Sequence, residues 1–439
     1  MKNYVTYTRK LALATPSDRN RIVDFWRAAA ILVVIFGHWL AASIWLDPDG
    51  EVQLMNSLEW VPGAAGLTWV VQVMPIFFLA GGYANARALH RVVSGEQPRH
   101  EWINTRIRRL FTPVLPLLII WAALIITLRG VIPPDIVRAG AMAATVPLWF
   151  MAVYLLLIAL APFTHAWWRR SGVASIAALF GAAIAVDVAR LGFDVPLVGW
   201  LNFLFAWAGI HQVGYLWSHL DEQGIRARVG WIVAGSSLGA LVALTAAGIY
   251  PVAMLGIPGS ELTNVTPPTL AIALLGGAQL GFIWGTQGVV RRFTSTVTGW
   301  HLVVAVSGVM MTLYLWHLTA MALVGATGLS VFGGAAFSIE PGTAMWWLSR
   351  PIWVAILSVV ALTLVGVFAR YEWRISRRAA PSTGAVAIGV TFAVAATAMV
   401  AVEGLATPSA QVRWVIPAAA AFAATLVGAL PGRKQPTTR

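Results

Sequence analysis

Twelve times along its 439 residues the sequence runs mostly apolar for about twenty positions, long enough for a helix to cross a bilayer core of about 30 Å. The runs are 24–45, 63–84, 110–128, 146–163, 172–190, 196–217, 229–249, 268–289, 301–323, 347–369, 384–402 and 411–431. Inside hydrocarbon every backbone N–H and C=O must be satisfied within the protein, and a helix does this within a single run of this kind. Their length favours helices. Composition agrees: 59% of residues are hydrophobic and 11% charged, against roughly 25% charged in an average soluble domain. The expected fold is an all-α polytopic membrane helix bundle, with the lipid bilayer as its first partner.

Charge gives the expected orientation. Most of the 30 basic residues fall in alternate connections, among them Arg9, Lys10, Arg91, Arg99, Arg169, Arg170, Arg226, Arg291, Arg374 and Arg433. Acids such as Asp47, Glu59, Asp135, Asp194, Glu261 and Glu340 collect in the others. The positive-inside rule then puts both termini in the cytoplasm. The net charge of +13 is accounted for by this anchoring, so nucleic acid is not expected as a partner. With no cysteine in the chain, disulfides, thiolate catalysis and thiolate metal sites are excluded, and no other cluster suggests a metal. The N-terminal segment is too weakly apolar to be a cleavable signal. No connection is long enough for a soluble domain, so chemistry is expected within the helices or at their mouths.

Ionisable groups inside a span cost a few kcal/mol or more and are functional candidates by default. In the first run Arg27 and His38 are eleven residues apart, about three turns, so they share a face with about 16 Å of rise between them. His317 lies at a similar residue count from the inner end of its own run, which suggests a cavity shared with His38. His211 could line the cytoplasmic approach or simply bond a neighbouring helix. Arg106 and Arg109 share a face at i, i+3; with Arg108 they form a basic cluster suited to phosphates or to plain membrane anchoring. Asn264, in a polar outer stretch leading to the eighth run, could donate to a sugar or brace a turn.

Asp24-Phe-Trp-Arg27, continuing through ten residues to His38, resembles the first-helix signature of the acyltransferase 3 family, an Arg followed after ten residues by a His. Pro75-Ile-Phe-Phe-Leu-Ala-Gly-Gly-Tyr83 is similar to the family's second-helix segment, and Arg106-Ile-Arg-Arg-Leu-Phe-Thr-Pro113 to its Arg-x-x-Arg-Leu-x-x-Pro step. Pro147-Leu-Trp149-Phe150, Ala161-Pro162 and Tyr314-Leu-Trp-His317 resemble later marks, in the family's order. Many members carry a Glu where this chain has Tyr154.

The resemblance implies a ten-helix acyltransferase domain over 24–370; the apolar runs and charges add a cytoplasmic segment 1–23, two additional transmembrane helices over 371–431 that the family core lacks, and a cytoplasmic tail 432–439. It implies a bacterial inner-membrane enzyme moving an acyl group, commonly acetyl, from cytoplasmic acyl-CoA to a hydroxyl of an envelope carbohydrate or glycolipid. The acyl-CoA is a co-substrate, and no permanently bound cofactor is expected. On this reading His38 and His317 are catalytic; Arg27, Arg106, Arg108 and Arg109 hold the donor; Trp149, His211, Asn264 and Tyr314 contact the acceptor. A desolvated, neutral imidazole suits a general base, although transient acylation of His38 is equally compatible with the residues. The rival is a secondary transporter, for which twelve helices and intramembrane Arg and His are also usual; the sequence shows neither an inverted repeat nor paired broken helices.

Overall fold

The computed structural model describes residues 2–16, 19–257, 259–373 and 381–429. The chain is 76% helical with almost no strand. Among the described residues nine helices are long and apolar enough to cross a membrane, or ten if the bent pair Leu270–Gly285 and Gln287–Ser295 forms one span. The two remaining expected spans correspond to other elements. Asn202–Gln223 is long enough but carries His211, Gln212, His219, Asp221 and Glu222, and so is not among the nine. Residues 411–431 were expected to be one span; the helix there is only Val415–Leu426. It is preceded by a turn in which Ala406 pairs with Val412 and Arg413 meets Glu403 at 3.4 Å. The expected tail 432–439 and the basic residues Arg374, Arg377, Arg378, Arg433, Lys434 and Arg439 lie outside the described residues.

Several helices are shorter or more broken than hydropathy suggests. The first ends at Ala41, not 45, and runs into an antiparallel hairpin of Ala42–Leu46 and Val52–Asn56. The second is divided into Ala64–Val71 and Met74–Ala88. Gln72 repairs that break: its side chain accepts from Met74 N at 3.1 Å and donates to Met254 O at 2.9 Å, while its carbonyl accepts from Gln279 at 2.6 Å. Freed backbone groups in a membrane helix need such partners. The expected run 301–323 is two helices, Val297–Ser307 and Met310–Val331. Equating the depths of His38 and His317 by residue count assumed an unbroken helix there, and that count is therefore not a depth.

The chain divides into two compact units. The first comprises Met1–Ala88, Phe163–Met310 and Val324–Leu357. Within it Met74–Ala88 and Asn202–Gln223 cross at glycines: a Cβ on Gly82 would meet the His211 carbonyl, and one on Gly214 would meet the Leu79 carbonyl. Small residues at a membrane crossing let backbones approach closely. Phe78 stacks on Trp207 beside this crossing at 4.3 Å. Ala227–Ala246 packs on Leu270–Gly285 in the same manner through Gly230, Gly281 and Gly285. Buried Asp187 accepts from Asn202 Nδ2 at 2.8 Å, Tyr250 Oη at 2.7 Å and Leu270 N at 2.8 Å, so one carboxylate starts the Leu270 helix and ties down the loop before it.

The segment before residue 20, expected only as a cytoplasmic extension, contains the helix Lys2–Leu13. It packs on Val297–Ser307: Tyr4 Oη donates to Ala305 O at 2.6 Å, Thr8 Oγ1 bonds His301 Nε2 at 2.9 Å, and Ala12 joins Ala28, Trp300 and Val303 in a buried cluster.

The second unit comprises Leu89–Pro162, Met311–Leu323 and Ser358–Arg439. The amphipathic helix Arg99–Phe111 leads through Thr112 and Pro113 into the apolar Val114–Leu128. Thr383–Glu403 packs on both Arg99–Phe111 and Val415–Leu426. Trp316 stacks on Phe368 at 3.8 Å, and Trp121 donates to Thr319 at 3.0 Å.

Candidate active site

The candidate residues fall in both units. In the first, Asn20 caps the helix Arg21–Ala41, its side chain accepting from the N–H groups of Ile22 and Val23. The same side chain donates to Tyr83 Oη and Asp221 Oδ2, both at 2.8 Å, and Tyr83 donates to Asp221 at 2.6 Å. The start of the helix is thus pinned to two others through three polar side chains. One turn in, buried Asp24 accepts from Arg19 at 2.6 Å and faces Arg27 at 3.9 Å. Arg27 keeps 42% of its side chain exposed, so its charge is available to an anionic ligand. His38 lies on the same unbroken helix, half-buried, in its last turn. Its neighbour Trp39 is buried and accepts on its carbonyl from Trp353 Nε1 at 2.9 Å, which fixes that end of the helix.

His211 is buried in the same unit, and its Nε2 accepts from Asn85 Nδ2 at 3.1 Å. Because the Asn85 atom is an amide nitrogen, Nε2 is the acceptor and Nδ1 carries the proton. Of the two readings of His211, this is the interhelical bond. Asn264 is fully buried, with Nδ2 donating to Pro251 O at 2.7 Å and Ala253 O at 3.0 Å and Oδ1 accepting from Thr269 at 2.8 Å. Its amide braces the outer loop, the bonding that one of its two sequence readings expects.

The second unit holds the other candidates. His317 is fully buried about two turns into Met310–Val331, and its Nδ1 lies 2.7 Å from Tyr314 O. A carbonyl can only accept, so Nδ1 bears the proton and the lone pair of the neutral ring is on Nε2. Tyr314 is held in turn by its hydroxyl, which donates to Pro147 O at 2.7 Å. Phe150 stands edge-on to Tyr314 at 5.6 Å and stacks on Tyr154 at 5.2 Å, while Trp149 is half-buried, its ring 6.3 Å from that of Phe150. Tyr154, which the sequence marks only as a departure, therefore belongs to the aromatic row that ends at His317. Sequence position gave half of this signal: Phe150 and Tyr154 are one helical turn apart.

The three arginines of the basic cluster differ in burial. Arg106 is half-buried with its guanidinium 3.8 Å from the Trp102 ring centre. Arg108 is buried, whereas Arg109 is exposed. Among the described residues no group of three or more His, Asp or Glu side chains could hold a metal ion.

The family model for the acyltransferase domain matches residues 20–371. This chain belongs to the acyltransferase 3 family. The matched segment contains the helix with Arg27 and His38, the arginine cluster and the Tyr314–His317 turn, so both sets of candidates lie inside the family's domain. Neither the comparison with curated proteins nor that with solved structures finds a match. Membership also answers the transporter reading, for which the structure supplies one feature missing from the sequence. The second helix is broken and the eighth is bent by 56°, and such helices are common in transporters, but both lie within the acyltransferase domain.

Proposed function

We propose that this membrane acyltransferase moves an acyl group, commonly acetyl, from acyl-CoA on the cytoplasmic side of a bacterial inner membrane to a hydroxyl of an envelope carbohydrate or glycolipid. The observation that carries the reading is one continuous helix, inside the family-matched segment, that presents a half-exposed Arg27 near one end and His38 near the other. An arginine suits the donor's phosphates, and the length of the pantetheine arm allows a thioester to react well away from them. His38 takes the proton of the acceptor hydroxyl as its oxygen attacks the thioester carbonyl; the C–S bond breaks, and the proton is returned to the departing thiolate. His317 serves the same transfer through Nε2, polarising a reacting oxygen or sharing the proton. Arg106, Arg108 and Arg109 hold the donor's phosphates, and Tyr314 and Trp149 border the acceptor.

The test pairs His38→Ala with Arg27→Ala in purified protein, each assayed for acyl-CoA affinity and turnover. His38→Ala should lower turnover by roughly 10²–10⁴ with donor binding retained, because the two residues are about 16 Å apart along the helix. Arg27→Ala should weaken donor binding first. Near-normal turnover in folded His38→Ala would remove the base from the mechanism. Comparing envelope glycolipids by mass spectrometry in cells with and without the gene would identify the acceptor and the acyl group together.

A further inference from the structure

The helix that carries His317 begins badly by its own means. The first turn of any helix has backbone N–H groups without an intrahelical acceptor. Here the capping position is Val309, which makes no side-chain cap bond, and a β-branched apolar residue is among the poorest caps. The acceptor comes from another helix. Glu372, near the end of Ala344–Trp373, accepts from Met311 N at 3.3 Å on one oxygen; on the other it accepts from Thr312 N at 3.1 Å and Thr312 Oγ1 at 2.8 Å. A carboxylate at this place also opposes the positive end of the helix dipole. Arg109, from the basic cluster, is close enough for its charge to act on the same carboxylate.

What Glu372 grips is short and stiff. Two residues beyond Thr312 is Tyr314, whose hydroxyl is fixed on Pro147 and whose carbonyl holds His317 Nδ1. The cap, the tyrosine and the histidine thus form one hydrogen-bonded turn and a half of helix, and a shift or fraying at its start is passed directly to the imidazole.

We propose that Glu372 is a positioning residue for acyl transfer, a cap supplied from a neighbouring helix that sets the register and orientation of His317. The inference rests on the reading of His317 as a participant in the transfer. An ordinary cap would contribute to stability alone, so the experiment must separate the two roles. Glu372→Ala, Glu372→Gln, His317→Ala and the double variant Glu372→Ala/His317→Ala are purified in detergent, and turnover is measured per folded, monodisperse protein.

Glu372→Ala should lower kcat by about 10- to 100-fold, the scale of a misplacement of about 1 Å at a reacting group, with KM for acyl-CoA nearly unchanged. Glu372→Gln, whose amide oxygen still serves Thr312 but whose NH₂ opposes Met311 N–H, should fall between Ala and wild type. It also keeps the test open if the alanine variant fails to fold. In the double variant kcat should equal that of His317→Ala, since removing Glu372 has no further effect once the group it positions is gone. Wild-type kcat in folded Glu372→Ala or Glu372→Gln beside a disabled His317→Ala, or an additive loss in the double variant, overturns the role of Glu372 and leaves the proposed function standing. Wild-type turnover in His317→Ala overturns the assignment of His317 itself and the positioning role with it.

Discussion

A methyl group added at Gly82 should separate two helices and destabilise the protein, whereas the same addition at Gly235 should stabilise it. A Cβ on Gly82 would run into the His211 carbonyl, with Gly214 Cα at 3.1 Å behind it, whereas one on Gly235 meets nothing within 4 Å. Both positions are inside helices, where Ala is favoured over Gly by about 1 kcal/mol. At Gly235 that gain stands alone. At Gly82 the obstacles are backbone and cannot rotate aside, so Met74–Ala88 and Asn202–Gln223 must move apart, at an overpacking cost of about 1–3 kcal/mol. The Asn85–His211 bond, 3.1 Å long on the same two helices, would be stretched and its net contribution of about 0.5–1.5 kcal/mol weakened or lost. After subtraction of the propensity gain, Gly82→Ala should be less stable than wild type by about 0.5–3.5 kcal/mol. The assay is thermal unfolding of the two variants and wild type in one detergent. Equal midpoints for Gly82→Ala and Gly235→Ala would refute the close crossing as a determinant of the fold.

Two further outcomes follow from the site. Replacing Arg106 and Arg109 by Gln should raise KM for acyl-CoA by several-fold or more with membrane insertion intact, as removal of charge-assisted bonds of about 1.5–3 kcal/mol each implies; a change in topology with unaltered KM would mark the cluster as anchoring only. Asn264→Ala should leave acceptor kinetics unchanged while lowering thermal stability by about 1–3 kcal/mol, because it removes two donor bonds to the half-buried carbonyls of Pro251 and Ala253, each contributing about 0.5–1.5 kcal/mol; a selective rise in acceptor KM would instead favour a sugar contact.

The parts legible in the sequence are those that depend on one segment at a time. Arg27 and His38 share a helix because nothing in the apolar run between them interrupts it, and the acyltransferase marks lie within the segment matched at 20–371. Breaks were harder to see. Gly308 and Gln72 each sit inside an apolar stretch, where one glycine or glutamine barely changes the hydropathy, yet the helices part beside them. Long-range polar partners were invisible for another reason: Tyr83 and Asp221 are separated by 138 residues and Thr312 and Glu372 by 60, and no local pattern announces such a pair. The sequence leaves the loop role of Asn264 as one of two readings because a buried amide and a sugar-binding amide have the same chemistry until their partners are known.

The N-terminal helix has a consequence for how the protein is made. Tyr4 and Thr8 bond to residues 301 and 293 positions later in the chain, so Lys2–Leu13 is synthesised long before the surface it docks on. At about 5–20 residues per second the wait lasts roughly 15–60 s, during which several spans have already entered the bilayer. An amphipathic, basic helix of this kind can rest at the headgroup boundary in the interval. Its closure onto Val297–Ser307 is then a late step in biogenesis, one that can occur only after the helix carrying His301 has been delivered to the membrane.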